Sequence, residues 1–220
     1  MTTTTDHMGD TGEDWAARPA HRASDVLIAL SAAIPNERVS VGYIVDGLQH
    51  RAFGFLMLIL ALPCCLPFLY GVPQVVSIPM LFISGQIAIG RDHPWLPGSL
   101  RRRSFTRAAF QDMAARAKRY VGWAESISQP RLTFLTSGLA ERLFGVLMVV
   151  FCCSIAVPLP MTNTVPGIAV AIMAVGFIER DGLMVLGGAL LGIVWVSFLV
   201  AVVVALFIYG IDLVAMIKGS

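Results

Sequence analysis

Charge is scarce in this chain. Only 14% of its 220 residues are Asp, Glu, Lys or Arg, against roughly a quarter in ordinary soluble domains. None of these residues falls in 52–90, 143–178 or 182–211. A soluble core in so small a protein would not hold three such blocks, whereas a helix crossing ~30 Å of hydrocarbon needs about 20 apolar residues. The three blocks are therefore expected in a membrane. Histidine is also absent from them, since His7, His21, His50 and His93 all lie outside. HExxH, GxSxG, a phosphate-cradling glycine loop and zinc-spaced Cys/His clusters are missing, so neither an enzyme nor a cofactor or metal site is expected. The four cysteines form two vicinal pairs, Cys64-Cys65 and Cys152-Cys153, inside apolar blocks. Without CxxC spacing they read as small core- or lipid-facing side chains. Residues 1–22 are polar and hold no apolar segment, which excludes a signal peptide there and predicts a disordered tail.

What is present is repetition. Residues 47–57 read Gly-Leu-Gln-His-Arg-Ala-Phe-Gly-Phe-Leu-Met, and 138–148 read Gly-Leu-Ala-Glu-Arg-Leu-Phe-Gly-Val-Leu-Met, 91 positions later. From Gly47 to Pro67, eight of 21 positions match at that offset. Further on, Gly85 matches Gly176, and Arg91-Asp92 returns as Arg180-Asp181 with two residues deleted. Each copy opens an apolar block that is broken near its middle. Pro63, Pro67, Gly71, Pro73 and Pro79 interrupt the first, and Pro158, Pro160, Asn163, Pro166 and Gly167 the second. The spacing predicts helical arms at 53–62 and 74–90, then at 144–157 and 168–178. Each pair forms a hairpin of two tilted spans or a re-entrant pair. Non-helical backbone is tolerated within lipid only where protein or a water-filled cavity satisfies it. Pro/Gly breaks at matching repeat positions are the sequence pointer to a translocation site.

The expected fold is thus an all-α, polytopic membrane protein with two internal hairpin repeats, amphipathic interfacial helices and a C-terminal transmembrane helix. Its segments are a tail (1–22), a first repeat (23–92), a basic linker with an interfacial helix (93–137), a second repeat hairpin (138–182) and a terminal span (183–220). Short helices are predicted at Asp25–Ile34 and after Ser40, and the interfacial helix at Ser104–Trp123. Ten of the 16 Lys and Arg residues fall between Arg91 and Arg142. That bias suits a cytoplasmic loop on an anionic leaflet and argues against nucleic acid as a partner. Both hairpins return to the side they left, so Arg51, Arg91, Arg142 and Arg180 are expected near the cytoplasmic face, with the repeats parallel. The spacing Gly188-x-x-x-Gly192 allows close helix contact or dimerisation.

Charge bordering a membrane block is costly and marks function by default. Glu179-Arg180-Asp181 stands between two apolar blocks with no room for a loop. It reads as ion or proton coupling with Arg180 binding an anion, or as a solvated turn. Arg51 and Arg142, at equivalent positions, read as paired anion contacts or as arginines reaching the interface, with Arg91 on the same side. Gln86 and Asn163 are the polar candidates inside apolar blocks. Asn163 would bond a substrate or cap the second arm.

The combination Arg51-x-Phe-Gly, Gln86-x-x-x-Gly90-Arg91-x-x-Pro94-Trp95-Leu96-Pro97, Pro158-x-Pro160-x-x-Asn163-x-x-Pro166 and Glu179-Arg180-Asp181-Gly182 resembles the ExoD family of bacterial inner-membrane proteins over roughly residues 24–210. The resemblance implies a role linked to exopolysaccharide synthesis and supplies no reaction. Tyr70-Gly71 departs from the Pro that usually precedes this glycine in the family. The expected protein is a small, dimeric transporter moving an ion or an anionic or lipid-linked precursor. The rival is a non-catalytic accessory protein of the polysaccharide machinery.

Overall fold

The computed structural model describes residues 38–66, 71–106, 108, 111–112, 132–157 and 162–218. In chain order the described elements are β1 (Arg38–Ser40), α1 (Val41–Leu48), α2 (Arg51–Cys64), α3 (Val72–Ala88), α4 (Gly98–Arg101), β2 (Ser104–Thr106), a 3₁₀ turn (Thr133–Thr136), α5 (Gly138–Ala156), α6 (Thr164–Glu179) and α7 (Gly182–Lys218). They belong to two compact units, residues 1–48 with 96–125, and residues 49–95 with 126–220.

In the first unit, β1 and β2 pair antiparallel with Val39 opposite Phe105. The Ser40 hydroxyl accepts the Tyr43 N–H at 3.2 Å, which opens α1 by side-chain capping. Arg101 and Asp46 form an ion pair with both side chains about half exposed, a contact worth at most about 1 kcal/mol. This unit corrects the sequence reading in one respect. Ser104–Thr106 is a strand rather than the start of a helix, because its backbone is engaged by residues 38–40, so the chain is mostly helical and not all-α. The rest of that predicted helix is mainly outside the described residues, as are the 1–22 tail and the helix at Asp25–Ile34.

The second unit is helical. α2 packs on α6, α3 on α5, and α6 on α7, with less extensive pairing inside each hairpin. Small residues permit these approaches. A Cβ at Gly54 would meet Ile178 Cγ1 at 2.7 Å and the Ala174 carbonyl oxygen at 2.8 Å, and one at Gly145 would meet the Ala88 nitrogen at 2.5 Å. Gly54 and Gly145 are equivalent in the 91-residue frame, and each touches the end of the other hairpin's second arm. Between them lies an apolar interior in which Met57, Met80, Met148, Phe151 and Met173 are fully buried. Methionine suits such a seam because its unbranched chain fills irregular gaps.

Each arm starts before its predicted first residue, and Pro63 and Pro79, expected as breaks, lie inside α2 and α3. Pro79 removes the N–H that would have bonded to Val75, a loss helices in apolar surroundings can absorb. α7 is one helix of 37 residues. The glycines offered for dimerisation are used within the chain, since Gly188 lies on Ala169 and Met173, and Gly192 on the Phe151 ring. Gly138–Ala156 and Gly182–Ile208 are the helices among the described residues that are long and apolar enough to cross a membrane.

Candidate functional site

One end of the helical unit encloses a cavity of about 300 Å³. Its wall is built from the first residues of α2 and α5 and the last residues of α3 and α6. His50, Arg51 and Phe53 come from one hairpin's entry and Gly138 and Glu141 from the other's, while Ile87, Phe177 and Arg180 come from the two exits. Thr133, Thr136 and Ser137 of the 3₁₀ turn complete it. Both hairpins therefore leave from and return to the same end.

At its centre, His50 Nδ1 lies 3.2 Å from Glu141 Oε1. These residues hold the same position in the 91-residue frame, so equivalent sequence positions meet as a hydrogen-bonded His–Glu pair in the cavity wall. The hydrogen bond to Glu141 raises the His50 pKa above its ordinary 6.5. Partial burial opposes the shift, the charges of Glu141 and Asp92 add to it, and Arg180 opposes it. Sequence reasoning missed both residues because it looked for histidine inside apolar blocks. The available signal was a basic and an acidic residue at one repeat position.

Arg180 is held in an unusual backbone state. It ends α6 at φ 56° and ψ 35° in the left-handed region, and the Asp181 N–H closes on the Gly176 carbonyl at 2.8 Å. That closure normally uses glycine at the left-handed position. The first hairpin ends the same way with Gly90 at φ 75°, and the Arg91 N–H closes on the Gln86 carbonyl at 3.1 Å. Structurally, then, Arg180 corresponds to Gly90 rather than to Arg91. The left-handed state costs an L residue roughly 1–2 kcal/mol, and here it carries a cation that faces the cavity.

Arg51 and Arg180 are thus brought together, and the other predicted residues are not. Arg142 is exposed, with its guanidinium lying over Gly90, where a Cβ would overlap it. Arg91 is exposed beyond α3. Gln86 is buried, with its carboxamide occupied: Nε2 donates to the Trp95 carbonyl at 3.2 Å, and Oε1 accepts the Trp95 N–H. Asp181 is buried and caps α7, its Oδ1 accepting the N–H groups of Leu183 at 2.9 Å and Met184 at 3.3 Å. Glu179 is the half-buried last residue of α6. Asn163 stands at the opposite end, before α6. Its side chain makes no capping bond, and its buried Oδ1 has no hydrogen-bond partner among the described residues.

The model of the family described as "Exopolysaccharide synthesis, ExoD" matches residues 23–201. Protein ExoD of Rhizobium meliloti (strain 1021) is 31% identical over 170 residues, covering 75% of this chain and 70% of that protein. An uncharacterised protein of Synechocystis is 27% identical over 184 residues, covering 82% of this chain and 86% of its own length. No solved structure matches.

Proposed function

The chain belongs to the ExoD family of exopolysaccharide synthesis, and from that premise we propose a multi-pass protein of the bacterial inner membrane that handles an anionic substrate in the manner of a transporter. In this reading two copies of one hairpin, related by a twofold along the membrane normal, form its body, and it catalyses no reaction. Membrane embedding is supported by the outward faces of the second unit. Ile59, Val75, Ile78, Phe82, Leu143, Val194 and Phe207 are all exposed, and soluble monomers rarely present apolar patches of that extent. Gly188 and Gly192 are covered within the chain, so any pairing of two copies would use other exposed apolar faces.

The observation that carries the proposal is the cavity where all four hairpin ends meet, with Arg51, Arg180 and His50 set against Glu141. Its test is complementation of a host lacking this protein by Arg51→Ala/Arg180→Ala. Exopolysaccharide yield should fall at least tenfold with the protein still present in the membrane at normal level. Undiminished yield would overturn the assignment of the site.

A specific observation favours the accessory reading as a second: the interior below the cavity is mainly apolar, with Ser77 and Ser84 as its fully buried hydroxyls, which offers little polar path inward among the described residues. Arg102→Glu/Arg103→Glu separates the two. Arg101 is spared because it holds Asp46. A scaffold working through its basic loop loses function in that variant, and a transporter keeps most of it.

A further inference from the structure

Resting on that reading of the cavity, we propose that its ligand is a phosphate-class anion met at the bilayer surface. Two N-terminal and two C-terminal helix ends converge there, so their partial charges largely oppose one another and the side chains set the sign. Arg51, Arg180 and His50 face Glu141 in the wall, with Asp92 close to His50. Paired guanidinium forks match phosphate oxygens better than point charges do. Arg180 is kept in its strained backbone state at this wall, whereas the matching end of the first hairpin uses Gly90. Strain retained at one of two equivalent positions marks that position for function.

Depth supplies the second argument. Gln86, next to the wall residue Ile87, grips the backbone of Trp95. Trp95 is half exposed, and its ring meets Phe82 edge-on, centroids 5.6 Å apart. Exposed tryptophan concentrates at the headgroup level of membranes. The cavity therefore opens where lipid phosphates lie, over an apolar floor of Phe53 and Phe177. Its volume of about 300 Å³ is at the small end for ligand sites, enough for a headgroup and too little for a polymer.

The experiment uses the full chain in phosphatidylcholine nanodiscs and follows its unfolding temperature. Phosphatidic acid doped into the disc, or millimolar inorganic phosphate outside it, should raise that temperature by a few degrees through binding to the folded state. A shift with the lipid alone assigns the anion to a headgroup, and one with free phosphate assigns it to a soluble source. Arg51→Gln/Arg180→Gln should abolish the shift, while Arg142→Gln, whose target lies over Gly90, should keep it. If the glutamine pair does not fold, Arg51→Lys/Arg180→Lys replaces it, and a weakened shift supports the proposal. No shift with either anion, or an undiminished shift in the arginine variants, overturns it. Lost polysaccharide in Arg51→Ala/Arg180→Ala together with no shift here would refute the phosphate chemistry and leave the wider reading standing.

Discussion

The two hairpins, residues 51–88 and 138–179, share a frame and differ where it matters. Gly54 and Gly145 do the same job, each admitting the other hairpin's second arm. Met57 and Met148 fill the same interior. At the cavity the likeness ends. The shared position holds His50 in one copy and Glu141 in the other, so an ion pair forms where two identical residues would repel or ignore each other. The exits diverge too. Gly90 leaves a gap that Arg142 covers, and Arg180 fills the matching place with a cation. The packing positions are alike because both hairpins face the same packing problem, and the difference at the mouth is what the proposed ligand site would require.

Substitutions that break the comparison should rank as follows. Gly145→Val forces branched bulk against the α3 backbone, which cannot yield, and should cost about 3 kcal/mol by detergent unfolding. Gly54→Val meets the more pliable Ile178 side chain as well as backbone, and should cost less. Equal losses would show that the two seams are equally rigid.

Gly85 and Gly176, matched in the 91-residue sequence frame although the helix ends align Gly176 with Gln86, test what the second hairpin carries alone. A Cβ at Gly176 would lie 2.6 Å from Val185 Cγ2 and 2.8 Å from its nitrogen on α7, whereas one at Gly85 meets nothing within 4 Å. Gly176→Ala should therefore destabilise by about 1–3 kcal/mol, and Gly85→Ala should stabilise by up to about 1 kcal/mol through helix propensity. The same sign for both would mean that α7 does not seat as described.

Arg180→Gly should separate stability from function. Relief of the left-handed backbone should add about 1 kcal/mol, while loss of the cation should lower polysaccharide yield. A stability loss would show that the Arg180 side chain, and not its backbone, governs this turn.

The smallest effect concerns the ion pair. A pKa raised on folding stabilises fully below the unfolded value of 6.5 and is lost as pH climbs through the folded value. Glu141→Gln should thus be less stable than wild type at pH below about 6, with the gap closing above the raised His50 pKa. With the His50 side chain 43% exposed, solvent screening limits this to roughly 0.2–1 kcal/mol. A gap that widens with pH would contradict the pairing.

The sequence was most informative about helices. Charge-free apolar runs announced α2, α3, α5 and α6, while proline was a poorer guide to their ends, since Pro63 and Pro79 lie inside α2 and α3. It was least informative about polar side chains. Gln86 looked like a ligand because it is polar in an apolar block, yet its carboxamide is consumed by Trp95, nine residues on. His50 looked irrelevant because it lies outside those blocks, yet it pairs with a residue 91 positions away. Arg51 and Arg142 looked equivalent, and only the local fold turned one inward and laid the other over Gly90.

By itself, the amino-acid order determined that this protein would consist chiefly of apolar helices in two similar hairpins with a long terminal helix. Spacing, proline and absent charge act locally and can be read along the chain. Which charged groups share a cavity was decided only by the tertiary structure. That outcome depends on which ends are brought within a few ångströms of one another, and contacts between distant segments leave no trace in local periodicity.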